Sequence, residues 1–110
     1  MQIIHAAAAL SALGHEGRLH IYRLLVVAGP RGLTVGAIAK RVKMPGATLS
    51  FHLAQLQHAG LVTVRREGQR LVQTADFARM NALVGYLTEN CCGNDKACAP
   101  ACLPKKRKAS

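Results

Sequence analysis

Residues 33–73 read LTVGAIAKRVKMPGATLSFHLAQLQHAGLVTVRREGQRLVQ, and their spacing predicts a short helix, a turn, a second helix and a β-hairpin. Leu49, Leu53 and Leu56 recur at i, i+4 and i+7, which places all three on one side of the second helix. Ala47, Phe51, Ala54 and Gln55 then point away from the core, flanked by Thr48 and Ser50. An outward face that is small, polar and free of acidic charge suits the major groove of DNA.

The flanking residues extend that reading. Gly60 supplies a left-handed cap after the second helix. Residues 61–64 are rich in β-formers, Glu67-Gly68 reads as a tight turn, and residues 71–74 return as the partner strand. The hairpin tip carries Arg65, Arg66, Gln69 and Arg70 around the single carboxylate of Glu67. Helix, turn, helix and basic wing make up a winged helix-turn-helix DNA reader.

A chain of 110 residues holds one domain with a modest core. Half of it is apolar and only 4% aromatic, so the core is aliphatic and helix-rich. A chain this small gains stability by pairing with a second copy. The formal charge of +10 favours a polyanionic partner, with basic residues grouped at Lys40-Arg41-Lys43, in the hairpin and in the tail. An anionic membrane surface would attract the same residues, but no apolar run reaches the roughly 18 residues that span a bilayer. The Ala-rich start lacks a basic leader and reads as a first helix rather than an export signal. A cytoplasmic setting, with thiols kept reduced, is expected.

Helices are expected over residues 3–13, with Ile3, Ala7, Leu10 and Leu13 on the apolar side, and over residues 15–28. The second is apolar nearly all round (Leu19, Ile21, Tyr22, Leu24, Leu25, Val26, Val27) and is expected in the middle of the core. Residues 29–32 end it. Thr34 caps the helix carrying Val35, Ile38, Ala39 and Val42 on its core side, and Pro45 turns the chain before the recognition helix. Asp76 caps a last helix with Met80, Leu83, Val84 and Leu87 on one side. The first and last helices are expected to pack across a two-fold homodimer interface, presenting two reading heads to half-sites about one DNA turn apart. Residues 1–90 thus form the DNA-binding and dimerisation domain, 91–102 a cysteine-rich segment, and 103–110 a basic flexible tail.

All four cysteines lie in CCGNDKACAPAC, residues 91–102. Disulfide stapling is disfavoured in the cytosol, and the adjacent pair Cys91-Cys92 bridges only through a strained ring. Four thiolates suit tetrahedral zinc, although structural zinc ligands are usually two to four residues apart. Three thiolates suit a soft metalloid such as trivalent arsenic or antimony, whose lone pair occupies the remaining side; no histidine lies nearby to compete. Chemistry alone leaves zinc and metalloid both open.

A winged helix with flanking dimer helices and an ion-binding cysteine set resembles the ArsR/SmtB family of metalloregulatory repressors. The most specific stretch is ATLSFHLAQLQHAGLVTVRREGQRLVQ, residues 47–73, which is similar to the family's recognition helix and wing. Cys91-Cys92 followed by Cys98 resembles the arsenite-responsive group whose site is C-terminal. That resemblance implies a dimeric repressor with Cys91, Cys92 and Cys98 as ligands of As(III), or of Sb(III), acting as inducer with no organic cofactor. It implies no settled role for Cys102. Bound to double-stranded operator DNA, Thr48, Ser50, Phe51 and Gln55 would enter the major groove while Lys40, Arg41, Lys43, Arg65, Arg66 and Arg70 meet phosphates. Two departures stand out: residues 35–43 lack the cysteine motif that other members carry there, and the last helix bears only Asp76 and Glu89, with no histidine for a zinc sensor. Phe51 stands where a polar base reader is common; either contact with a thymine methyl would replace a hydrogen bond or the ring would pack against the wing.

Other functions remain for the same residues. Oxidation of these cysteines would make a thiol redox-sensing repressor, and zinc or cadmium would make a metal sensor of the same fold. An enzyme with a cysteine nucleophile needs an anion-binding loop and a nearby arginine; these cysteines follow a helix and have neither. His5, His15, His20, His52 and His58 are scattered, with no carboxylate partner in reach by sequence, so the chain is not expected to be an enzyme.

Overall fold

The computed structural model describes residues 1–94. Five helices, α1 (Ile3–Leu13), α2 (Glu16–Ala28), α3 (Val35–Val42), α4 (Gly46–His58) and α5 (Phe77–Thr88), surround three strands, β1 (Leu33–Thr34), β2 (Val62–Glu67) and β3 (Arg70–Ala75). The sheet is antiparallel in the order β1-β3-β2.

Capping chemistry sets most boundaries. His15 Nδ1 accepts from the Gly17 amide at 3.0 Å to open α2, Thr34 Oγ1 accepts from Ala37 at 3.2 Å to open α3, and Asp76 accepts from Arg79 at 3.0 Å to open α5. Residues 33–34, expected as the approach to a helix, form an edge strand instead, with Leu33 opposite Gln73 and Thr34 opposite Val72. Gly32 allows it: its φ is +67°, and a side chain there would strike the Gln73 carbonyl. The hairpin turn falls one residue later than expected. Glu67 pairs with Arg70, which leaves Gly68-Gln69 as the two-residue loop, with Gly68 at φ +66°.

Ile21, Leu25, Ile38, Leu49, Leu56 and Leu61 are fully buried and tie α2, α3 and α4 to the start of the wing. Each contributes roughly 1.5–3 kcal/mol by leaving water. One expectation about the surrounding helices, an α2 buried nearly all round, is corrected. On α1 the buried residues are Ala6, Ala9 and Ala12, while Ile3, Ile4, Ala7 and Leu10 face outward; alanine permits close helix approach, so the small face is the one that packs inward. α2 buries Ile21, Tyr22 and Leu25 but leaves Val27 78% exposed, because its far side has no neighbouring layer. On α5, Leu83 is buried whereas Val84 and Leu87 are more than half exposed. The bulky apolar residues of α1 and α5 therefore form outward surfaces on two helices that contact each other. None of the helices among the described residues is long and apolar enough to cross a membrane.

Candidate nucleic-acid interface

The recognition helix α4 is anchored from below and open above. Leu49, Leu53 and Leu56 are buried, which leaves Ala47, Thr48, Ser50, Phe51, Ala54 and Gln55 exposed on the opposite side. α3 ends at Lys43, whose backbone is left-handed at φ 47°, and Pro45 leads directly into α4. Met44 packs partly buried against the core between them, fixing the turn from inside. Phe51 is 57% exposed, so its ring is part of the outer surface.

The basic residues expected at phosphates, Lys40, Arg41, Lys43, Arg65, Arg66 and Arg70, are all exposed. Arg65 is nevertheless engaged within the chain. Its guanidinium meets Glu67 at 2.7 Å and donates to the carbonyls of Pro30 and Arg31, both at 3.1 Å. It clasps the wing to the turn after α2. Arg66 and Arg70 stand at the outer end of the hairpin, where Arg66 is paired with Leu71 and Arg70 with Glu67 along the backbone. Helix α4 and an adjoining basic hairpin thus present side chains suited to base edges and to phosphates.

A helix-turn-helix domain family matches residues 13–65, which run from the end of α1 through α4 into β2. The HTH-type transcriptional regulator YgaV of Escherichia coli K12 is 30% identical over 87 residues, covering 79% of this chain and 86% of that protein. An ArsR-like transcriptional regulator from Rhodococcus sp. RHA1 superposes with a TM-score of 0.73 at 25% identity, over 87% of this chain and 88% of its own. A homodimeric winged helix-turn-helix domain from Mycobacterium bovis, described as a possible ArsR-family regulator, gives 0.60 at 35% identity over 80% and 82%. The chain belongs to the ArsR-type family of winged helix-turn-helix transcriptional regulators. It is a regulator and not an enzyme.

Three side chains that support the regulator's reading helix carried no sequence signal. Gln73, read only as a strand residue, is 3% exposed, and its Oε1 accepts from Gln57 Nε2 of α4 at 3.0 Å. That bond joins the last turn of the recognition helix to the wing. His52 is 6% exposed on the inner side of α4, its ring 4.7 Å from that of His15. Burial, then the neighbouring His15 and Arg18, hold its pKa below the ordinary histidine value. Arg18 places Nη1 3.4 Å from His52 Nδ1 while its Nε donates to the Ala12 carbonyl at 2.6 Å. No carboxylate marks any of these positions, and glutamine and histidine alternate between surface and core too freely for spacing to separate them.

Cys91 and Cys92 lie in a short 3-10 turn, Cys91–Asn94, just beyond α5. Their sulfurs are 3.8 Å apart. Cys91 is partly buried and Cys92 exposed, and the backbone is left-handed at Asn90, Cys92 and Gly93. Cys92 is disulfide-bonded, against the expectation of reduced thiols throughout. The third expected ligand, Cys98, lies outside the described residues, as do Cys102, Lys96 and the basic run at 105–108. Among the described residues no group of three or more histidine, cysteine, aspartate or glutamate side chains converges on one point.

Proposed function

We propose that this regulator is a cytoplasmic homodimeric repressor that binds operator DNA and is released when As(III), or Sb(III), is held by the thiolates of Cys91, Cys92 and Cys98, so that arsenic-resistance genes are transcribed. The observation that carries the DNA half is the outward side of α4, free of acidic residues and flanked by an exposed basic wing. Dimerisation is supported by the outward Ile3, Ile4 and Leu10 of α1 and Val84 and Leu87 of α5, and by the homodimeric state of the Mycobacterium bovis relative.

The inducer half rests on sulfur chemistry. Cys91 and Cys92 place their sulfurs 3.8 Å apart, near enough for both to bond one soft ion once both are thiolates. Softness favours thiolates over oxygen and imidazole donors, and no histidine lies near these cysteines in the sequence. Cys92 must be reduced before it can ligate. The turn directly follows α5, so binding there biases a helix of the proposed interface, and linkage of about 1–3 kcal/mol would change DNA affinity roughly 5–150-fold.

The disulfide at Cys92 supports a second reading, in which oxidation rather than a metalloid releases the DNA. One experiment separates the two. A labelled DNA site, selected from a random pool by the reduced protein, is followed by fluorescence anisotropy against arsenite, antimonite, zinc, cadmium and peroxide. Release by arsenite with a phosphine reductant present, which keeps the cysteines reduced without supplying competing thiols, supports the metalloid reading, whereas release by peroxide alone supports the redox one. Cys98→Ser is expected to bind DNA as wild type and to ignore arsenite, while Cys102→Ser responds nearly as before. A Cys98→Ser protein that still dissociates normally removes Cys98 from the ligand set.

A further inference from the structure

His52 faces inward from a helix whose other side is proposed to enter DNA, and the groups around it come from the start of α2. His15, the N-cap of that helix, spends its Nδ1 on the Gly17 amide and stacks obliquely on His52 at 4.7 Å. Gly17 leaves the space for this: a side chain there would lie 3.2–3.3 Å from both rings. Arg18 reaches two ways, from the carbonyl of Ala12 in the last turn of α1 to Nδ1 of His52 on α4. One guanidinium therefore bridges an end of the proposed dimer helix and the recognition helix.

That bridge has a protonation requirement. Arginine has only donors, so its approach to His52 Nδ1 is favourable only while that nitrogen carries a lone pair and the ring proton sits on Nε2. A proton taken up at Nδ1 turns the contact into donor against donor. It also sets an imidazolium beside a permanent cation and beside His15, in a position with little water. The charged groups bearing on His52 are His15 and Arg18, both at the start of α2. Among the described residues no carboxylate from α1, α3 or β2 offsets them.

We propose that Arg18 and His52 are positioning residues that fix the recognition helix against α1 and α2, and that operator binding weakens as His52 takes up a proton. This rests on the reading of α4 as the DNA-entering helix. The folded state holds His52 below its ordinary value of 6.5, so the neutral ring's contribution is complete above that pH. It is lost as the pH falls through the folded pKa. Protonation of surface histidines near DNA has the opposite sign, since added positive charge tightens the grip on phosphates. The direction of the pH effect therefore separates an inner joint from an outer contact.

The test compares wild type, His52→Gln and Arg18→Met, bound to the selected DNA site at matched ionic strength from about pH 8 to about pH 5.5, the range over which histidine changes charge. Circular dichroism checks the fold at each pH. Wild type is expected to lose affinity on acidification, by up to about ten-fold for each pH unit below the His52 pKa. His52→Gln is expected to hold or gain affinity over the same range. Ring resonances followed by NMR should show His52 titrating below the ordinary histidine value, with the α4 amide shifts moving in step, and Arg18→Met should raise its midpoint. Parallel pH profiles for wild type and His52→Gln overturn the proposal. If no DNA site is found at pH 8, the reading of α4 falls by itself. The joint is then judged by whether the α4 amides follow the His52 titration, and amides that ignore it overturn the joint as well.

Discussion

α4 and the cysteine turn beyond α5 are held in place by different means. α4 buries three leucines and a histidine, and its last turn is bonded to the wing through Gln57 and Gln73. The cysteine turn follows a helix on which Leu83 is the single buried residue. Asn90 just before it, and Cys92 and Gly93 within it, have left-handed backbones, a conformation that costs non-glycine residues energy. Burial places the reading head before any DNA arrives, whereas the sulfur pair depends on bonding partners for its arrangement. A head so anchored moves as a unit, which is what a signal from a distant site requires if it is to misalign two heads without unfolding either.

The sharpest way to break this contrast is a cavity beneath α4. Leu56 is fully buried, and Leu56→Ala is expected to cost roughly 2–5 kcal/mol, seen in urea unfolding together with a loss of DNA binding. Cys91→Ser is expected to stay within about 0.5 kcal/mol of wild type. If Cys91→Ser destabilises as much as Leu56→Ala, the cysteine turn is part of the folding core and the distinction between the two regions fails.

A smaller effect probes the link from α4 to the wing. Gln57→Ala leaves Oε1 of the buried Gln73 without its donor, at a cost of about 1–3 kcal/mol. Adding Gln73→Leu removes the stranded amide and should restore much of that loss. A double mutant no more stable than Gln57→Ala alone would show that the amide was not what the first change stranded.

Periodicity announced the parts of the fold that periodicity controls. The leucine repeat of α4 and the caps Thr34 and Asp76 are properties of neighbouring residues, and the structure has them where their spacing places them; the basic hairpin is present too, with its turn one residue later. The inward face of α1 was not legible, because Ala6, Ala9 and Ala12 are less apolar than Ile3 and Leu10 and hydropathy says nothing about how closely two helices approach. β1 was missed because two residues are too few to show alternation; only the partner strand β3 defines them. Within the site, the exposed residues of α4 followed from the buried ones. His52, Arg18 and Gln73 did not, since each acts through a residue distant in sequence. The cysteines were legible as a cluster, but Cys98 falls outside the described residues, and a thiol ligand and a disulfide partner are the same letter.

The smallest expected effect concerns three arginines that look equivalent in the sequence. Arg65 has its charge offset by Glu67, 2.7 Å away, and its Nη atoms committed to the carbonyls of Pro30 and Arg31. Arg66 and Arg70 stand exposed further along the hairpin. Each phosphate contact steepens the dependence of log affinity on log salt by about 0.9, and a homodimer makes each contact twice, so Arg66→Ala and Arg70→Ala are each expected to lower that slope by about two. Arg65→Ala is expected to change the slope by clearly less. Its loss appears instead in stability, by no more than about 1 kcal/mol because the ion pair is exposed. Titrations at several salt concentrations with all three variants decide it. An Arg65→Ala slope change equal to the other two would mean that the clasp to the carbonyls of Pro30 and Arg31 opens on DNA and releases its arginine to the phosphate backbone.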